Sequence, residues 1–250
     1  MITKEEKYSA LKRLGQELHI PIPEAFWALE VFDKDGNPIC PHCSFPAISD
    51  KCPNCGQDVK FKQRSHSWTR NAYNLLFCQL DSKNGSDSTF GGGKLSCKDT
   101  SGAIKYGAKP IGIVTALSLD VTNATHGILT PAGQDTKGIV VGSGTDAESF
   151  EDYKLQTQIA NGTGAGQLSY IASELHSVSY NEVSKILSDA QIRYFNNNSG
   201  GDVSVNEVGI YCGLESAICC TARDRLASTV TVPNTGQLKV TYTIQLTYPA

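Results

Sequence analysis

The most regular pattern in the chain lies close to its end. In QLKVTYTIQLTY (237–248), Leu238, Val240, Tyr242, Ile244, Leu246 and Tyr248 alternate with Lys239, Thr241, Thr243, Gln245 and Thr247. A strand turns successive side chains to opposite faces, so this spacing sets one face in a core and the other in water. Shorter apolar or alternating runs at 111–119, 137–142, 168–173, 188–196, 203–212 and 227–232 are separated by turn-forming residues. YFNNNSGGDVSVNEVGIY reads as strand, tight Asn/Gly turn, strand, a β-hairpin pattern. About seven such strands, without interleaved amphipathic helices, predict a mainly β fold, an antiparallel β-sandwich.

The N-terminal part has a different rhythm. Tyr8, Leu11, Leu14 and Leu18 recur at spacings of three and four among charged residues, which predicts a short helix over 3–17. HIPIPEAFWALEVFDKDGNPI follows, with two prolines, an apolar stretch and a turn at Asp35-Gly36-Asn37-Pro38. SHSWTRNAYNLLFCQL (65–80) predicts a second helix, with Ser65 or Ser67 as N-cap and Trp68, Ala72, Leu75 and Leu76 on one face. The polar, Gly-rich DSKNGSDSTFGGGKLSCKDTSG is a connector. The expected division is therefore 1–65, helix and cysteine module; 66–110, helix and connector; 111–250, β-sandwich domain.

The cysteine module is the strongest local signal. In CPHCSFPAISDKCPNC, the spacing Cys40-x2-Cys43-x8-Cys52-x2-Cys55 lets two Cys-x-x-Cys turns aim four thiolates at one point. Both turns begin Cys-Pro, and the second is followed by Gly56, where the backbone can approach the sulfurs. The pattern resembles the knuckles of zinc ribbons and rubredoxin-like modules. It predicts a structural Zn(2+) held by Cys40, Cys43, Cys52 and Cys55, because a catalytic zinc keeps one position open. His42 reads as a spacer within the first knuckle. Iron in a rubredoxin-like role would call for a redox partner or a second cofactor motif, and none is seen in the sequence. Two disulfides would need an oxidising compartment.

Composition narrows the classes. The 250 residues are 40% hydrophobic and 19% charged, with 23 glycines and a formal net charge of -3, which gives no general reason to expect nucleic acid. The basic stretch Lys60, Lys62, Arg64, His66 and Arg70 reads as a solvated flank of the cysteine module. No stretch approaches the roughly 20 apolar residues of a membrane span, so no membrane is expected, and the chain reads as made in a reducing cytosol. The sequon at Asn161 is then accidental.

Other motifs fail on inspection. KGIVVGSGTDA offers Gly142-x-Gly144-x-x-Ala147, but a dinucleotide fingerprint also needs a following helix and a distant acidic residue. FGGGKLS fails as a phosphate loop, because Ser88 stands where the first glycine belongs and Leu95 follows Lys94. His126 and His176 have no catalytic context, and Asp146, Glu148, Glu151 and Asp152 read as solvated turn residues. Cys78, Cys97, Cys212, Cys219 and Cys220 read as small buried hydrophobes, with a Cys78–Cys97 or Cys212–Cys219 disulfide as the alternative. The expectation is a protein that is not an enzyme and has no small-molecule substrate.

Nearly half the chain resembles a family of tailed-bacteriophage virion proteins. The resemblance rests on a glycine-rich strand opening (Gly138 to Gly144), an Asp-Tyr-x-Leu segment (Asp152 to Leu155), and an NNSG…VNEVGIY hairpin (Asn197 to Tyr211). An Ala-Arg-Asp strand (Ala222 to Asp224) and a closing strand (Val232 to Ile244) complete it. It implies a non-enzymatic structural part of a virion, made in the host cytoplasm, with other virion proteins and copies of itself as partners. The cysteine module departs from the family pattern and would serve as a zinc-stapled docking element. The alternative is a zinc-ribbon nucleic-acid-binding protein that uses the stretch Lys60 to Arg70 as its contact.

Overall fold

The computed structural model describes residues 3–20, 22–81, 97–105, 127–214 and 217–248. In chain order the elements are α1 (Lys4–Glu17), β1 (Pro23–Phe32), β2 (Pro38–Ile39), β3 (Phe61–Ser65), α2 (Arg70–Asp81), β4 (Cys97–Lys98) and β5 (Ile104–Lys105). They continue as β6 (Gly138–Gly142), β7 (Ser169–Tyr170), β8 (Ser177–Asn181), β9 (Ile186–Asn196), β10 (Val203–Leu214), β11 (Ala217–Val232) and β12 (Gln237–Thr247). The fold is mainly β and antiparallel, as the alternation predicts. The expected run 111–119 lies outside the described residues.

Two sheets share one core. The larger runs β2-β1-β12-β9-β7, with β3 also on β1 and β8 also on β9; the smaller runs β11-β10-β6. Trp27, Leu29 and Val31 of β1, Phe195 of β9, and Leu238, Val240 and Tyr242 of β12 meet Val140, Val208, Val230 and Val232 of the smaller sheet. Burial of such side chains stabilises by about 1.5–3 kcal/mol each. Along β12 the inward positions pass from buried at Leu238, Val240 and Tyr242 to part-buried at Ile244 and Leu246.

Three expectations are corrected. First, the sheet crosses the boundary drawn at residue 65. Strand β1 pairs with β12 over its whole length, from Pro23↔Leu246 to Phe32↔Gln237, so the N-terminal segment is part of the sandwich. Second, β9 and β10 do not pair as a hairpin; they lie in different sheets. The turn between them is an arch set by buried Asn197, whose Nδ2 donates to the carbonyls of Gly201 and Val232, both at 2.8 Å. Third, the second helix begins at Arg70. Ser65 belongs to β3 and hydrogen-bonds Asp224, while the Thr69 amide and hydroxyl donate to the carbonyls of Thr221 and Cys220. Residues 65–69 are thus committed to β11 before the helix starts.

Helix α1 begins with a capping box. The Glu6 amide donates to Thr3 Oγ1 at 3.2 Å, and the Thr3 amide donates to the Glu6 carboxylate at 2.6 Å. The Arg64 guanidinium lies between the Tyr8 and Phe26 rings, at 4.7 and 4.9 Å, and pins the helix to β1. The apolar stripe of the helix faces outward: Leu11, Leu14 and Leu18 are 46%, 49% and 57% exposed.

Candidate metal centre

Strands β2 and β3 occupy the same edge of β1. The first pairs with Val31 and Phe32, the second with Ala25 to Leu29. The cysteine module is the excursion between them, so both of its ends are anchored on one strand. The backbone carbonyl of Pro41 also accepts the Thr231 amide of β11 at 2.8 Å, which ties the first knuckle to the smaller sheet.

The module is an internal repeat with an offset of twelve residues, of which the shared Cys-Pro opening is the mark in the sequence. The Cys40 amide donates to Phe45 O and the Cys52 amide to Gln57 O, both at 2.8 Å. Ser44 donates to Cys40 O at 2.9 Å and Gly56 to Cys52 O at 2.8 Å. The bridges Ile39↔Pro46 and Lys51↔Asp58 close the two turns in the same way. Ser44 and Gly56 occupy the same left-handed position, with φ of 55° and 72°. Glycine adopts it without strain, and Ser44 holds it inside a closed turn. The repeated pattern CPxC[S/G] was the available signal.

The two knuckles bring the four sulfurs together. Cys40 Sγ lies 3.6 Å from Cys55 Sγ, Cys43 Sγ lies 3.5 Å from Cys52 Sγ, and Cys43 and Cys55 are 3.6 Å apart. Four sulfurs about 2.3 Å from a central ion would stand about 3.8 Å apart, whereas a disulfide needs about 2.05 Å. The cluster is compatible with one metal ion, and all four predicted ligands are in it. The Asn54 side chain, followed by the Phe45 amide, stabilises the Cys43 thiolate and pulls its pKa down to about 6. Burial pushes the Cys40 thiol up to about 12. His42 packs edge-on toward Phe61, with ring centroids 6.5 Å apart, and stays outside the cluster.

The remaining candidates separate cleanly. Lys60 pairs with Glu30 at 2.9 Å, Arg64 with Glu24 and Glu5, and Arg70 with Glu151, so three cations of the basic stretch are held by acids. The acidic group does not converge either: Asp152 binds Arg223 at 2.7 Å, Glu151 binds Arg70, and Glu148 accepts the Arg225 amide at 3.0 Å. Cys97, Cys212, Cys219 and Cys220 are buried free thiols. Cys212 and Cys219 face each other in the β10–β11 ladder, but the Cys219 sulfur contacts Cys97 instead. Cys78 and His126 lie outside the described side chains.

The false dinucleotide motif has a physical explanation. Buried Glu207 accepts the amides of Gly144, Gln156 and Thr157 at 3.2, 3.1 and 2.7 Å, and the Arg223 Nε at 2.8 Å. A Cβ at Gly142 or Gly144 would fall 2.6 or 2.5 Å from Glu207 Oε1. The glycines let a loop wrap an internal carboxylate instead of a phosphate. Searches of protein-family models, curated proteins and solved structures find no match to this chain.

Proposed function

We propose that the protein is a non-enzymatic structural component of a tailed-phage particle, stapled by zinc and assembled with copies of itself and neighbouring virion proteins. The observation that carries this reading is the edge of β8. Ser177–Asn181 carries no charge, every residue of it is exposed, and among the described residues it pairs only with β9. Val178 and, in the adjoining turn, Val183 are 66% and 96% exposed. Natural sheets guard such edges with lysine, proline or a bulge, and an unguarded edge is a template for a strand of another chain. The outward leucines of α1 supply a second apolar surface suited to a neighbour.

Zinc is the ion of this reading, because four thiolates select a soft cation and zinc needs no redox partner. Four protein ligands fill the shell and leave no position for chemistry. A segment too short to bury a core of its own is held by the metal instead. The arrangement suits a particle that leaves the cell.

Sedimentation and negative-stain electron microscopy of the purified full chain, together with peptide mapping of phage particles, test the reading. It predicts rings or multimers and presence in particles. A strictly monomeric chain absent from particles overturns it.

A further inference from the structure

Asp224 poses a problem of charge. Its side chain is fully buried and accepts the Trp27 indole at 2.8 Å, the Ser65 hydroxyl at 2.6 Å and the His66 amide at 3.0 Å. All three donors are neutral. The flanking cations are committed elsewhere, Arg223 to Glu207 and Asp152, and Arg225 to the Thr145 carbonyl. Arg64 is held by Glu24 and Glu5. Among the described residues only the imidazole of His66, with Nδ1 3.4 Å from Oδ1, is left to offset its charge, and a buried carboxylate without a fixed cation is costly.

The groups around it are those of a metal site. His66 Nδ1 lies 3.4 Å from Asp224 Oδ1, and one ligand atom each from His66, Glu148 and Asp224 fall within 4.8 Å of one another. Glu148 uses one oxygen, Oε1, for the Arg225 amide, which leaves Oε2 for a ligand. Two donors about 2.1 Å from a tetrahedral ion stand about 3.4 Å apart. The Ser67 hydroxyl lies 3.0 Å from Nδ1, in the place that an ion bound to this nitrogen would take. His66 and Glu148 also line a cavity of about 660 Å³, with Trp68, Tyr73 and Phe150 on its walls.

We propose that His66, Glu148 and Asp224 form a second metal site, which takes a divalent first-row transition ion and keeps a coordination position open toward this cavity. The imidazole favours such an ion over calcium or magnesium, and three protein ligands leave the fourth position for water or an anionic group. The ion would neutralise Asp224 and join the end of β3, the 143–152 loop and the middle of β11.

The test is a titration of the stripped full-length chain with Co(II), followed by calorimetry and absorption. About two equivalents are expected, one with the thiolate charge-transfer band of a sulfur site and one without it. Glu148→Gln and His66→Gln should each weaken the second equivalent by at least about tenfold and leave the thiolate band intact. Glu148 is partly exposed, and an unchanged denaturation midpoint for Glu148→Gln establishes that its fold is intact. A single equivalent in the wild-type chain, or a second that survives both substitutions, overturns the proposal.

Discussion

The indole Nε1 of Trp27 donates to the carboxylate of Asp224 at 2.8 Å, joining residues 197 positions apart in the chain. One lies in β1 of the larger sheet and the other in β11 of the smaller, so the bond crosses the interior of the sandwich. Trp27 also packs on Tyr242, its ladder partner, with ring centroids 4.3 Å apart. Trp27→Phe keeps an aromatic ring in place and removes the donor. It should lower stability by about 1–3 kcal/mol, read from the urea midpoint. A midpoint equal to wild type would mean that the bond contributes nothing.

The Glu207–Arg223 pair anchors the 143–157 loop. Glu207→Gln breaks a fully buried ion pair and should cost about 3–5 kcal/mol, nearer the lower figure because Asp152 still faces Arg223. Gly144→Ala drives a methyl into the same carboxylate and should cost about 1–3 kcal/mol. Thermal melts of both variants check this, and a melt of Gly144→Ala that matches wild type would show that the loop yields freely.

Placing a charge on the β8 edge should separate assembly from folding. Val178 is exposed, so Val178→Lys should change stability by no more than about 0.5 kcal/mol. Light scattering should show the proposed multimer reduced to smaller species. Multimers of unchanged mass would mean that β8 is not the contact.

The acids that hold Lys60 and Arg64 bear on nucleic-acid binding. The wild-type chain should pass through immobilised DNA or RNA at low salt without retention. Salt-sensitive retention that disappears when Lys60, Lys62 and Arg64 are replaced together would favour the ribbon as a nucleic-acid contact.

Much of the architecture was legible as periodicity. Strand β12 is the clearest case, because threonines and a lysine mark its outward face. Strand β1 was not legible, since Phe26, Ala28 and Phe32 are apolar on the outward side and blur the alternation of Ala25, Trp27, Leu29 and Val31. Pairing was harder still. The Asn/Gly turn after β9 has hairpin chemistry, but Asn197 uses its side chain to redirect the chain into the other sheet. The four cysteines could be read because their ligand turns are local. The His66, Glu148 and Asp224 cluster could not, because its members come from three distant segments and only the packing of the two sheets brings them together.

The four-cysteine clamp is the centre of the account, and zinc-edge X-ray absorption of the purified Glu148→Gln protein tests it most directly, because that substitution weakens the second proposed site and leaves the four sulfurs untouched. Four sulfur scatterers at about 2.3 Å are predicted. A shell of nitrogen and oxygen alone, or a metal-free protein with Cys40, Cys43, Cys52 and Cys55 in disulfides, would contradict it.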